Sequence, residues 1–532
     1  MSNGKVSVSF LYKITSNKMN IMKNHIYKGI FLAALSLNGC NQELLDQQPS
    51  DVISSTTFWQ NENDALIGLA GVYSDLQTNF YGITSFANWN AGPKPHPIWD
   101  GITDNGYLSR GAGFHSILDG TYSNNGRPED ALISVYAVSF NGIASCNEFL
   151  ANIDNVTGVS EAQLNAWKGE VLFIRSYYYY YLAATYGDVP IRTAPSTVEN
   201  QYSAKKPQSE VFLHILNDLN IAIDYLPQGG YDGHVKKAAA QALKAKVLLY
   251  NGKNLGEAAS AAKSVMETGN YALANDYTTL FYDGEQENNQ EVIFSIQYAN
   301  VPEEAHQRSV QEMIGFWGTM HPTLDLVHSY QCIDGLSISE SPLYDSENPM
   351  ENRDPRMGMS IYQGEWNPFS EIKSETGFTF IKGISPVVRE TLEKPINDGT
   401  DFIHLRYADV LLMYAEAKIE SNDIDQSVLD AINRVRARAY GVNFLETQQY
   451  PAVSTMDQTA LREELRYERR VEFLMENSRY FDLKRWGLAV QELDGFDGDP
   501  VYDRVFKDKH YKWPLPQEAL DRNPLLEQNP DY

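Results

Sequence analysis

Ala242-Leu243-Lys244-Ala245-Lys246-Val247-Leu248-Leu249-Tyr250-Asn251-Gly252-Lys253-Asn254-Leu255-Gly256-Glu257-Ala258-Ala259-Ser260-Ala261-Ala262-Lys263-Ser264-Val265 reads as two helices divided by an Asn-Gly break. Ala242, Ala245 and Leu249 recur at helical spacing before the break, and Ala258, Ala262 and Val265 do so after it. Small residues at these positions let two helices approach closely as an antiparallel hairpin. A second hairpin is expected late in the chain. Its first helix runs from Leu405 to Glu420 with Ala408, Ala415 and Ala417, a turn follows at Ser421 to Asp425, and its second runs from Val428 to Ala439.

Outward from these hairpins, periodicity predicts helices from about Thr57 to Leu76, Glu129 to Ile153, Glu161 to Tyr186, over 208–226, and from Leu461 to Glu476. The helix ending at Tyr186 contains five consecutive tyrosines, Tyr177 to Tyr181. Successive helical residues point about 100° apart, so these rings surround the helix and make it internal. Glu291 to Tyr298 alternates like a strand, whereas residues 80–128 and 299–400 are rich in Gly, Pro and aromatic residues and read as long irregular loops. The expected fold class is mainly α: a tetratricopeptide-like scaffold of helical hairpins with long irregular loop insertions and a few short strands.

Near the N-terminus, Ile30 to Leu37 is an apolar run preceded by Lys23 and Lys28 and too short to span a bilayer. Residues 1–39 are read as a signal peptide, with Met19 or Met22 giving a start of ordinary length. Leu37, Gly39 and Cys40 resemble the lipobox of bacterial lipoproteins, in which the cysteine is acylated, although Asn38 departs from that pattern. The remainder, 40–532, is read as a single domain with an N-terminal part to about 230 and a C-terminal part from about 270. It has no further run approaching transmembrane length.

The 532 residues carry 43 basic and 69 acidic side chains, a net charge of −26 that opposes binding to nucleic acid and favours neutral ligands. Aromatic residues make up 12%, including 33 Tyr and 8 Trp, and such rings can stack on the apolar faces of sugars. Besides Cys40 there are only Cys146 and Cys332, with no CxxC pair, and no structural disulfide is expected. HExxH, Walker, GxSxG and GxGxxG motifs are absent, the histidines lack ligand spacing, and no cofactor is expected. Asp494, Asp497 and Asp499, with Asp503, form an acidic turn that could offer oxygens to calcium but misses the EF-hand register.

Between Leu461 and Glu476, Arg462, Arg466 and Arg470 form one i,i+4 stripe, and Glu464, Glu468, Glu472 and Glu476 form another. Like charges at that spacing weaken an isolated helix, so both stripes should dock on opposite charges elsewhere. Asp482 is expected to pair with a basic neighbour, and Trp486 to close the core.

Several ordered blocks carry a family resemblance. They include Glu43-Leu44-Leu45-Asp46, Phe173-Ile174-Arg175-Ser176, Tyr186-Gly187-Asp188-Val189-Pro190 and Arg353-Asp354-Pro355-Arg356. Others are Leu405-Arg406-Tyr407-Ala408-Asp409, Glu468-Arg469-Arg470-Val471-Glu472-Phe473, Tyr480-Phe481-Asp482-Leu483-Lys484-Arg485-Trp486 and Trp513-Pro514-Leu515-Pro516. Together they resemble the SusD/RagB family of outer-membrane glycan-binding lipoproteins, across essentially the whole chain after Cys40.

The resemblance implies a non-enzymatic, surface-facing lipoprotein, anchored through Cys40, that passes an oligosaccharide or polysaccharide to a SusC-like TonB-dependent transporter. Peptide uptake in the manner of RagB is the alternative, and glycoside hydrolysis is a third class. The family site is an aromatic arc with adjacent hydrogen-bonding groups, and its residues vary between members. Residue type and placement select Trp89, Trp99, Asp104, Asn105, Tyr107, Tyr298, Phe316 and Trp317 as ligand-binding candidates, with Tyr330 and Trp366 weaker.

Overall fold

A computed structural model describes residues 58–77, 97–109, 114–122, 131–282, 284–301, 310–365, 372–392 and 398–532. Residues from Asn61 to Tyr532 make one compact unit, and Met1–Gln60 fall in another. Among the described residues of the larger unit the helices of seven residues or more are α1 (Glu62–Leu76), α2 (Ala131–Asn152), α3 (Glu161–Tyr186), α4 (Gln208–Tyr225), α5 (Lys237–Asn251), α6 (Leu255–Met266), α7 (Tyr407–Glu420), α8 (Gln426–Ala439), α9 (Gln458–Glu472) and α10 (Arg479–Arg485). The expected helices are therefore present, most with ends within a few residues. The exception is the first, which begins at Glu62, after an Asn61 cap that accepts from the backbone N–H groups of Asn63 and Asp64.

Local chemistry explains the boundaries. Ser160 caps α3 by accepting from Gln163 N, Asp457 caps α9 by accepting from Ala460 N, and α5 ends at Gly252 in the left-handed region with φ 64°. All five tyrosines from Tyr177 to Tyr181 are buried, as their angular spread around α3 requires. Gly142 lets α2 lie against α3: a Cβ there would stand 2.2 Å from the Tyr178 ring.

The helices pack in succession, α2 on α3, α3 on α4, α4 on α5, α5 on α6, α6 on α7 and α7 on both α8 and α9. The contact between α6 and α7 matters most, because about 140 residues separate them in sequence. The two hairpins are one continuous stack, and residues 267–406 are an excursion from it.

Among the described residues, six short strands form three antiparallel pairs. β1 (Gly106–Leu108) pairs with β3 (Met320–Pro322), β2 (Val292–Ile296) with β6 (Phe402–Arg406), and β4 (Ile361–Gln363) with β5 (Phe378–Phe380). β2 and β6 bracket the excursion and return the chain to α7. Leu405 and Arg406, expected at the start of a helix, are the last residues of β6 instead.

Charge fastens the excursion to the stack. The buried Glu472 carboxylate accepts from Arg356 at 3.1 Å and Arg406 at 2.7 Å, and also from Arg438. Arg406 further donates to Glu291 at 2.7 Å and to Glu476 at 2.7 and 2.9 Å, while Arg436 donates to Glu464 and Glu468 at 2.9 Å each. The glutamate stripe thus meets arginines from other elements. In the arginine stripe, Arg462 pairs with Glu420 and Arg470 with Asp104 and Asp325, but Arg466 pairs within its own helix with Glu463 and lies over Trp486.

Asp482 pairs with Arg469 and Arg485. Trp486 does not close the core. It is half-buried at the edge, donating to Glu416 at 2.8 Å. Cys146 and Cys332 are buried free thiols.

Burial alone would raise the Glu472 pKa, but Arg438, Arg406 and Arg356 outweigh it and hold the carboxyl well below the carboxylate range. A depressed folded-state pKa contributes stability that is present above the unfolded value near 4.5 and is lost as pH falls through the folded value. Glu472→Gln should therefore cost about 3–5 kcal/mol at neutral pH, by leaving buried arginines undercompensated. Chemical denaturation measured from pH 7 down to pH 3 checks this, and the gap between variant and parent should narrow as pH falls.

Candidate ligand-binding site

Four of the five expected first-loop candidates, Trp99, Asp104, Asn105 and Tyr107, lie inside the protein. Trp99 is fully buried, stacked on Trp513 at 5.3 Å between ring centroids and edge-on to Phe114 at 5.6 Å. Asp104 accepts from Arg479 at 2.9 and 2.6 Å and pairs with Arg470 at 3.0 Å. Although burial opposes it, those two guanidinium groups hold the Asp104 carboxyl well below its ordinary range. Asn105 donates to Asp100 at 2.7 Å and accepts from Arg470 at 2.8 Å.

Tyr107 is buried on β1, its hydroxyl accepting from Glu375 N at 2.7 Å. None of these four side chains offers a surface to a ligand; Trp99, Asp104 and Asn105 join the first loop to C-terminal elements, and Tyr107 joins it to the excursion. Tyr330 is buried likewise. Trp89, Trp366 and Cys40 lie outside the described residues.

Tyr298, Phe316 and Trp317 are placed differently, each half-buried. Tyr298 follows β2, and its backbone N–H donates to Asp401 at 3.0 Å. Phe316 and Trp317 end a π-helical turn, Gln311–Phe316, and meet edge to face at 5.1 Å. The Trp317 indole N–H donates to Glu312 at 3.1 Å, which fixes the ring plane.

At the β2 end that leads into Tyr298 the structure adds a cavity of about 360 Å³, whose lining includes Tyr73, Gln77, His234 and Gln297. That volume falls within the ~300–1,000 Å³ of small-molecule sites. Its polar wall is organised by the buried Glu170. The carboxylate accepts from the Tyr73 hydroxyl and lies 2.9 Å from His234 Nδ1, and Val235 N donates to the Tyr73 oxygen at 3.0 Å. Gln77 Nε2 donates to the Gln297 carbonyl at 2.7 Å and ties α1 to β2. With Nδ1 directed at Glu170, His234 Nε2 remains to meet a ligand hydroxyl. No helical or strand pattern marks His234, and its partner Glu170 lies 64 residues away, so the sequence gives no sign of this pair.

The acidic turn is engaged elsewhere. Asp494 pairs with Lys507, and Asp499 with Arg504 at 2.5 Å while also accepting from Val501 N and Tyr502 N. Asp497 is exposed. Those pairings engage the carboxylates of Asp494 and Asp499 but not that of Asp497, and among the described residues no group of three or more His, Cys, Asp or Glu side chains is placed to hold a metal. Nor is any helix among them long and apolar enough to cross a membrane.

A sequence model described as the SusD family matches residues 280–532, and one described as starch-binding associating with outer membrane matches 104–249. The chain belongs to the SusD/RagB family. A SusD-like protein of Formosa agariphila is 26% identical over 95% of this chain and 99% of its own length. The starch-binding protein SusD of Bacteroides thetaiotaomicron is 24% identical over 71% of this chain and 75% of its own. The crystal structure of a SusD-like carbohydrate binding protein from Bacteroides fragilis superposes with a TM-score of 0.75 at 27% identity, covering 88% of this chain and all of that one. The mainly α fold is thus that of SusD-like proteins, a carbohydrate-binding family associated with the outer membrane.

The Glu170 hydrogen bond raises the His234 pKa above its ordinary 6.5, against a smaller opposing effect of burial. A raised pKa places the extra stability of this contact below pH 6.5, and it fades as pH rises through the folded value. NMR titration of isotope-labelled histidine should find the His234 midpoint above 6.5 and, in Glu170→Gln, a lower one.

Proposed function

We propose that this protein captures a neutral oligosaccharide at the cell surface, anchored there through lipidated Cys40, and delivers it to a TonB-dependent outer-membrane transporter without cleaving it. The observation that carries this reading is the family match, which extends over nearly the full length of a SusD-like relative. Members of the family are typically non-catalytic.

The chemistry of the candidate site agrees with the reading. The cavity presents the planar amides of Gln77 and Gln297 and a ring nitrogen of His234, which can take hydroxyl groups, and the partly exposed rings of Tyr298, Phe316 and Trp317, which stand outside its lining, suit the apolar faces of sugars. A net charge of −26 repels polyanions at long range and leaves neutral glycans unaffected.

Isothermal titration against a panel of neutral oligosaccharides tests the proposal. One or more should bind, and Tyr298→Ala and Trp317→Ala should each weaken binding about five- to tenfold, the equivalent of one lost ring contact, at unchanged Tm. Binding of peptides in place of glycans, or release of new reducing ends from a bound glycan, would overturn it.

A further inference from the structure

A larger cavity, of about 480 Å³, lies between α2, the 190–202 loop and the short helix Gln517–Arg522. We propose that this groove is a second carbohydrate site, taking a neutral oligosaccharide of a few rings. The choice of ligand rests on the carbohydrate-binding reading above; the existence of the groove does not.

Its walls are held in place from within. Buried Asn147 donates to the carbonyls of Arg192 and Ala194 at 3.1 and 3.4 Å, and accepts from Arg175 at 2.8 Å. The Tyr179 hydroxyl accepts from Arg192 N at 2.6 Å and lies 3.0 Å from the carbonyl of the same residue. On the far side, Asn523 donates to the Ser203 carbonyl at 2.8 Å and Lys205 to the Gln528 carbonyl at 3.0 Å. Two segments more than 300 residues apart are thereby locked together, so little ordering remains to be done when a ligand arrives.

The side chains facing the groove are of the types that hold sugars. Tyr202 is 47% exposed, a large ring left in solvent beside a fixed backbone. Phe140 on the floor packs against Tyr136 at 4.7 Å, and Tyr136 is in turn held edge-on by Tyr186 at 5.3 Å. Around these rings stand the planar groups of Asn141, Gln201 and Arg192, which match paired hydroxyls.

Charge and shape narrow the ligand further. Arg192 and Arg522 are set against Glu518, which pairs with Arg522 at 2.5 Å, so the groove keeps one uncompensated positive charge, too little to hold a polyanion. The α2 wall from Ile133 to Ala144 is about 16 Å long at ~1.5 Å per residue, which suits an elongated molecule. The opposite wall interleaves Pro190, Ala194 and Pro516 with Arg192, Gln201 and Glu518, unlike the continuous apolar trough that an amphipathic helix needs.

Hydrogen–deuterium exchange with saturating maltoheptaose, laminarihexaose or xylohexaose provides the test, read separately at residues 190–202 and around Tyr298. At least one probe should slow exchange at 190–202, and Tyr202→Ala and Gln201→Ala should weaken that protection about five- to tenfold while leaving the Tyr298 region unchanged. Protection around Tyr298 alone would overturn the second site and leave the proposed function standing. Protection at 190–202 alone would support the second site and overturn the placement of the first. Protection at neither, or at 190–202 by peptides only, would overturn the second site.

Discussion

One carboxylate, that of Glu472, is shared among three guanidinium groups that the chain delivers from distant places: Arg356 from the excursion, Arg406 from the end of β6 and Arg438 from α8. Around it Glu291, Glu468, Glu476 and Asp354 face Arg356, Arg406, Arg436, Arg438 and Lys382, so five acids and five bases lie together in the interior. Each ion would be costly to bury alone, and removing any one leaves its partners uncompensated. The fold therefore has one way to satisfy the cluster, with β2 and β6 paired and the excursion seated on α8 and α9. Apolar packing makes the helix stack; the ion cluster decides where the remaining chain is attached to it.

The surface chemistry follows from that attachment. Because β2 is fixed by Glu291 at its start, its far end places Gln297 on the cavity wall beside Gln77, which caps α1. Asp104, held by Arg470 and Arg479, secures the first loop in the same way, and β1 then pairs with β3 just beyond Trp317. Rings that can meet a ligand thus stand on short, irregular segments, yet these segments are bolted to rigid helices. Such an arrangement permits loop variation without loss of the scaffold.

Much of the scaffold was legible in the sequence, because helical period and small-residue spacing are local signals. The tyrosine run showed that α3 is internal, and the glutamate stripe showed that α9 must find arginines elsewhere. The pairing of β2 with β6 was not legible, since the Leu405-Arg406 end of β6 runs directly into α7 and shares its apolar pattern. The first loop misled for a related reason. Gly, Pro and aromatic residues read as surface, but Trp99 and Asp104 are claimed by Trp513 and Arg479, partners hundreds of residues away. Likewise Tyr73, Glu170 and His234 carry no joint pattern, and only folding brings them to one wall.

The central claim is that the ion cluster makes the excursion and the helix stack one cooperative body. Native-state hydrogen exchange in a denaturant series measures this directly at β2, at β6 with α7, and at α9. The account predicts that the slowest amides of all three open together, with the same free energy and the same denaturant dependence. Opening of the β2–β6 ribbon at much lower free energy, while α7 and α9 stay closed, would contradict it.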